Sequence, residues 1–327
     1  MTGPTTIAAG PVSPSMTLPR AADHSRAMGG GLGVHLAVAD GAAIPGAERD
    51  AARVAARVRA WAGRLTRHDA ASELMRANAD SRAVTPIGPT LAAALRWAAD
   101  ASDLTGGIVD ATLLRERLAA ESTPETSWET DSRFRPGTRP AWRLEAAGTR
   151  GALLQRDPGT TFDLDGVAKG WIADRALALL DAHPGALVDA DGDIAIRSAE
   201  GDAWEVGVAD PRTPGAELAV FVLPGGSPGT RYGLATSGIS VHRWAGQDGE
   251  RHHLIDPRTR RPAATDVVQA TVLAGSARAA EAWAKTAVVL GLVAALDVLD
   301  RAPILGAILL ASDGHVLAVP RTTRWLA

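Results

Sequence analysis

Cysteine is absent from this 327-residue chain. That excludes a disulfide, a thiolate metal site, a cysteine nucleophile and a lipid-bearing N-terminal cysteine. No apolar run reaches the roughly 18–20 residues that a membrane-spanning helix needs. The longest, AVVLGLVAAL (Ala287–Leu296), is expected to form a buried helix. A basic excess is missing too, and the formal net charge of −3 argues against nucleic acid as a partner. Lysine is nearly missing: of 34 lysines and arginines, only Lys169 and Lys285 are lysine. The first 26 residues, rich in Pro, Gly, Ser and Thr, lack the charged segment and apolar core of a secretory signal. A flexible tail over residues 1–26, a single domain over 27–327 and a cytoplasmic protein are therefore expected.

What is present is ordinary for a globular protein, with 46% hydrophobic and 22% charged residues, enough for a substantial core. LGVHLAV (Leu32–Val38) alternates as a strand, and apolar spacing predicts helices over 47–65 and 90–101. RLTRHDAASELMRAN between them reads as a charged loop entering a short helical turn. Residues 121–140, polar and proline-bearing, read as a surface excursion. Beyond Ala141 short strands are interrupted by two helices, over 170–182 and 276–290. In the first, Ile172, Ala176, Leu179 and Leu180 are expected on one face. Strands and helices mixed without βαβ alternation indicate an α+β architecture.

The motif DLDGVAKG (Asp163–Gly170) turns an extended segment into a helix. Its glycines permit close backbone approach, and helix amides direct partial positive charge at the turn. Lys169 there makes a cradle for a phosphate or diphosphate, with Asp163 placed to accept a hydrogen bond. The plainer reading is a helix start with an exposed lysine. Lys285 lies four residues after Glu281, on the same helix face. A surface ion pair would account for that spacing, yet the neighbouring residues are alanine and the helix runs into the apolar stretch. Arginine would serve a surface pair equally well, so keeping lysine twice points to sites needing a compact ammonium. LVDADGDIAI gathers Asp189, Asp191 and Asp193 at a strand end without the spaced glutamate of a calcium loop. LATSGISVHRW offers the hydroxyls of Thr236 and Ser237 as cofactor contacts. HHLIDPRTRRPA joins His252 and His253 to an Asp-Pro turn, a candidate general base beside a phosphate site.

In order along the chain, DLDGVAKGWIADRA, LVDADGDIAI, WEVGVADPR, LATSG, HHLIDPRT and AEAWAKTAVVLG resemble the bacterial FAD:protein FMN transferase (ApbE) family. The N-terminal half is similar more loosely, through AMGG, RHDAASELMRAN and TGGIVDATLL. The resemblance implies an ApbE-like fold of mixed and antiparallel sheets flanked by helices. It also implies a Mg²⁺-dependent transfer: FAD is cleaved at its diphosphate, FMN passes to a threonine or serine hydroxyl of an acceptor protein, and AMP leaves. Some members instead hydrolyse FAD to FMN and AMP, and a non-catalytic FAD-binding protein is the rival from another class.

By motif, the resemblance implies that Met28 touches the flavin and that His68 takes a position often held by an aromatic ring. Ile108, Val109 and Asp110 would line the FAD site, Asp163 and Lys169 would bind FAD, and Ile255 would pack on the cofactor. Gly166 would offer its carbonyl to the metal, and His253 would be the base. The family helix presents Asp and then Thr as metal ligands where this chain has Glu281 and Lys285. Three readings follow. Lys285 replaces part of the metal's charge; Glu281 and Lys285 pair in a protein that binds FAD without turnover; or Mg²⁺ binds through Glu281, Gly166 and phosphate oxygens. Asp191 and Arg260 stand where glycine is expected.

Overall fold

The computed structural model describes residues 5–6, 18–122, 141–146, 151–226, 230–246 and 249–327. The chain opens with β1 (Thr5–Thr6), β2 (Arg20–Ala27) and β3 (Gly30–Ala37). α1 (Ile44–Leu65), α2 (Glu73–Ala79), β4 (Val84–Ile87), α3 (Pro89–Leu104) and α4 (Leu114–Glu121) follow. β5 (Trp142–Ala146) and β6 (Ala152–Arg156) precede α5 (Ala168–Leu177). Next come β7 (Gly185–Ala190), β8 (Asp193–Arg197), β9 (Ala203–Ala209), β10 (Glu217–Pro224) and β11 (Tyr232–Gly238). Two small hairpins, β12 (Arg243–Gly246) with β13 (Gly249–His252) and β14 (Ile255–Asp256) with β15 (Arg261–Pro262), lead to β16 (Val267–Ala274). The chain finishes with α6 (Ala277–Leu290), α7 (Leu292–Arg301), β17 (Gly306–Ala311) and β18 (Val316–Ala318).

A nine-stranded antiparallel sheet, in the order β1-β18-β17-β16-β11-β8-β7-β3-β2, is the frame. Side-chain alternation gives it two apolar faces. Ala186, Val188 and Ala190 of β7 face the core under α1, α3 and α5, while Leu187 between them faces the β9–β10 hairpin. β16 and β17 repeat this, with Val272 and Leu309 under α6 and α7, and Leu273 and Ile308 under the hairpin. α1 buries Ala47, Ala51, Val54, Ala55, Val58, Ala62 and Leu65 at helical spacing, so its inner stripe packs on β2 and β3. α5 and α6 cross closely: a Cβ on Gly170 would lie 2.6 Å from the carbonyl oxygen of Ala277. That contact brings the start of α5 against the first turn of α6, where the candidate site forms.

Four expectations need correction or delimitation. Residues 20–26 are not a tail: β2 pairs residue for residue with β3, from Arg20↔Ala37 to Ala27↔Gly30. Its side chains alternate between exposed and half-covered with only Ala21 fully buried, so backbone pairing, not apolar content, makes this strand. Arg20 anchors it, 2.6 Å from Asp202 and 4.0 Å over the Trp204 ring. The apolar run Ala287–Leu296 is two helices, because Gly291 adopts φ +78° and Asp266 accepts the Leu292 amide at 2.7 Å, starting α7 afresh. Val293 is consequently 83% exposed. Leu179 is also exposed, because α5 tightens into a 3₁₀ turn over Ala178–Leu180 and shifts the helical spacing. The polar excursion lies, from residue 123 to 140, outside the described residues.

Candidate active site

The segment Phe162–Leu164 is pinned at both ends by burial, with Phe162 and Leu164 essentially inaccessible. Asp163 donates its amide to the Ala111 carbonyl at 2.8 Å and accepts the Asp165 amide on Oδ1 at 3.0 Å. The chain then turns through Gly166 into α5. Enclosure, followed by the neighbouring Asp165, pushes the Asp163 carboxyl up to about 6, against hydrogen bonding and the charges of Arg67 and Lys285. An acid raised in the fold stabilises the fold while protonated and loses that contribution as pH rises through its folded pKa. From the unfolded value near 3.9 to about 6 in the fold, rising pH therefore costs stability at this residue. Asp163→Asn is expected to match the wild type in urea stability near pH 4 and to exceed it increasingly toward pH 7.

Lys169, the second residue of α5, reaches the β7–β8 hairpin. Its Nζ is 3.3 Å from the Asp191 carbonyl, 3.6 Å from Asp193 Oδ2 and 4.0 Å from Asp191 Oδ2. The hairpin turn is Asp191-Gly192, both residues left-handed (φ +60° and +87°), as a two-residue hairpin turn requires. That explains why glycine is expected at 191 and why aspartate, which tolerates this region, can replace it. Asp193 is driven up to about 6, foremost by burial, with Lys169 opposing. Lys169 is in turn held above its ordinary range, chiefly by Asp193.

From α6, Glu281 is 3% exposed and accepts the Gly170 amide on Oε2 at 3.0 Å. Its Oε1 is buried and unpartnered among the described residues. Burial, then the nearby Asp193, pushes this carboxyl well above its ordinary range. Glu281 is therefore no member of a surface ion pair. Lys285 places its ammonium on Gly166, where an added Cβ would lie 2.0 Å from Nζ. Among the described residues, it has no ion pair within 4.0 Å and no hydrogen bond.

These groups share one cavity of about 330 Å³. Asp163, Gly166, Lys169, Glu281 and Lys285 line it together with Thr236, Ser237 and His253. Thr236 sits at the end of β11, its hydroxyl 2.8 Å from that of Thr271. The adjacent histidines divide cleanly. His252 accepts the Leu254 amide on Nδ1 at 3.2 Å, and its Nε2 lies 2.9 Å from the Ala263 carbonyl, which fixes it as a buried strut. His253 lines the cavity, its Nδ1 buried without a partner among the described residues, and its ring meets that of His242 edge-on at 5.4 Å.

Six predicted site residues do not line this cavity. Met28 occupies the β2–β3 turn with φ +55°, and Gly30 beside it makes room for the Asp191 carboxylate. His68 is exposed, its ring 4.0 Å from Asp165. Ile108 and Val109 are core residues, and Asp110 binds the Thr112 amide and hydroxyl, each at 2.8 Å. Ile255 packs on Leu113 and Ala120. Conversely, Arg117, Asp165, His242 and Gln269 line the cavity unforeseen. His242 lies within the stretch that carries Thr236 and Ser237, so proximity in sequence was the one available signal; Arg117 lay in a helix with no motif.

The resemblance implies Mg²⁺, and the residues present do not fit it. Mg²⁺ demands oxygen ligands near 2.1 Å in octahedral array, whereas an ammonium stands beside Gly166. Among the described residues, no group of three or more His, Asp or Glu side chains is arranged to hold a metal ion. Nor is any described helix long and apolar enough to cross a membrane.

Residues 30–309 match the profile of the ApbE family. The chain belongs to the ApbE family. The FAD:protein FMN transferase of Treponema pallidum is 35% identical over 173 residues, covering 49% of this chain and 46% of that protein. The Salmonella typhimurium FAD:protein FMN transferase is 33% identical over 155 residues, or 46% and 43% of the two chains. The chain thus matches a little under half the length of these curated relatives. A longer match, 27% identical over 253 residues, covers 69% of the Haemophilus influenzae FAD:protein FMN transferase. Pseudomonas stutzeri flavinyl transferase ApbE, in its apo form, superposes with a TM-score of 0.75 at 20% identity, over 94% of this chain and 97% of that one. The Thermotoga maritima ApbE protein gives 0.73 at 20%, over 94% and 100%. These likenesses establish the ApbE fold, with helices and antiparallel sheets as the sequence implied.

Proposed function

We propose that the chain transfers FMN from FAD to a threonine or serine hydroxyl of an acceptor protein and releases AMP. The observation that carries this reading is the meeting of both lysines of the chain with His253 across one cavity at the start of α5. In the proposed step the acceptor oxygen attacks the phosphorus of the FMN half. The bond to the bridging oxygen breaks, that oxygen leaves with AMP, and the hydroxyl proton passes to His253. Lys169 and Lys285 are fixed cations for the diphosphate, whose charge shifts onto the leaving oxygen; fixed charge in an enclosed site is the main currency of phosphoryl transfer. Lys285 does here part of what a divalent ion does elsewhere. The names of the curated relatives support the same reading.

The test is incubation with FAD and an acceptor fragment, with EDTA or Mg²⁺, followed by mass analysis and AMP quantitation. An adduct heavier by one FMN less water, with equal AMP, is the expected result. Free FMN and AMP without acceptor would replace it with a pyrophosphatase. FAD retained intact throughout would replace it with a flavin carrier.

A further inference from the structure

A partly buried ion network joins α4 to the glycine turn, and its two arginines are used differently. Arg67 spends every nitrogen of its guanidinium: Nε donates to Asp165 at 2.8 Å, while Nη1 and Nη2 donate to Glu121 at 3.0 and 2.6 Å. Arg117 also meets Glu121, through Nη2 at 2.8 Å. Its Nε and Nη1 are buried with no hydrogen-bond partner among the described residues, and the residue is only 6% exposed. The same side chain lines the cavity and lies 5.3 Å from the Trp244 ring. Donors of a charged group withdrawn from water and left unpaired are costly, so such a group is complete only with an acceptor. Glu121 meets Arg67 through both its oxygens and Arg117 only through Nη2. Asp163 and Asp165 share the cavity, yet neither accepts a hydrogen bond from Arg117.

We propose that Arg117 is an anion-binding residue of this cavity, donating from its guanidinium to a phosphate oxygen of the bound dinucleotide. This rests on the FAD reading above for the identity of the ligand. The carboxyl groups of the walls oppose a phosphate, so binding one needs every cation that the cavity offers. Asp163, Asp165, Asp191, Asp193 and Glu281 are carboxyl groups, and the charge of Lys169 is shared with Asp191 and Asp193. Two lysines, one of them partly neutralised, are a thin counterweight for a diphosphate, and a guanidinium is the side chain suited to share a phosphate's oxygens. Arg67 acts as the positioning residue, fixing Glu121 and thereby the direction of Arg117 relative to the turn at Asp165.

Calorimetric titration of inorganic pyrophosphate and, separately, riboflavin into wild type, Arg117→Gln and Arg117→Lys tests the proposal. Wild type is expected to bind pyrophosphate, with Arg117→Gln weaker by roughly 10–100-fold, Arg117→Lys intermediate, and riboflavin affinity the same in all three. Pyrophosphate bound equally by wild type and Arg117→Gln would overturn it, as would a wild type that ignores pyrophosphate. Should Arg117→Gln fail to fold, Arg117→Lys keeps a charge for Glu121, and wild-type affinity in that variant would overturn the proposal. A parallel FAD titration of wild type and Arg117→Gln keeps the two readings apart: FAD bound equally by both sinks only the present inference, whereas a wild type that binds no FAD sinks the FAD reading.

Discussion

Replacing Lys285 with threonine is expected to cut FMN transfer measured in EDTA by about 10²–10³-fold, the scale seen when one preorganised electrostatic group is removed from a transition state. The wild type should turn over at the same rate in EDTA and in Mg²⁺. The threonine variant should recover activity only when Mg²⁺ is added, because the ammonium resting on Gly166 is gone and a hydroxyl oxygen takes its place beside Glu281. Initial rates of AMP release across a Mg²⁺ titration of both proteins decide the matter. A wild type that is dead in EDTA, with a variant no different, would mean that the lysine is a bystander.

His253→Ala should leave FAD affinity near wild type and slow single-turnover transfer by about 10²–10⁴-fold, the usual contribution of a positioned general base. The contrast with His252→Ala is the sharper half of this prediction. His252 holds the Leu254 amide and the Ala263 carbonyl. Its removal leaves two buried backbone groups unpaired, each costing about 1–3 kcal/mol. That variant should melt earlier and, once folded, transfer FMN at a rate far above that of His253→Ala. Single-turnover rates and melting curves on both variants separate the roles. Equal rate losses in the two would remove His253 from the chemistry.

The division between these histidines was invisible in the sequence, where both are simply neighbours before an Asp-Pro turn. It depends on which ring the β14–β15 hairpin closes over, a contact across the chain. Periodicity did expose α1, α3 and α6, since each buries a regular stripe, and rarity exposed the two lysines. β2 escaped because an edge strand of small and polar residues is held by backbone pairing and by Arg20 on Trp204. The end of α6 at Leu290 was legible, but α7 escaped because an apolar run such as Ala287–Leu296 reads alike in one helix or two. Arg117 escaped for a related reason: what marks it is unspent hydrogen-bonding capacity, a property of its surroundings. The glycines were legible as turn formers, but not as the spaces beneath Lys285 and between α5 and α6.

Arg260 holds φ +58° while its guanidinium is only 3% exposed and its Nε lies 2.7 Å from Glu116. A left-handed backbone at a non-glycine residue costs about 1–3 kcal/mol, and reverting it to glycine relieves that strain. Reversion alone, however, strands the Glu116 carboxylate in the interior, an uncompensated charge worth about 3–5 kcal/mol. The two positions are thus coupled: each residue is the reason the other cannot be exchanged alone. Asp191 is different: its carboxylate fills the space left by Gly30, but the carbonyl that holds Lys169 is backbone and would stay in place with glycine there. Position 260 can therefore return to glycine only in step with position 116.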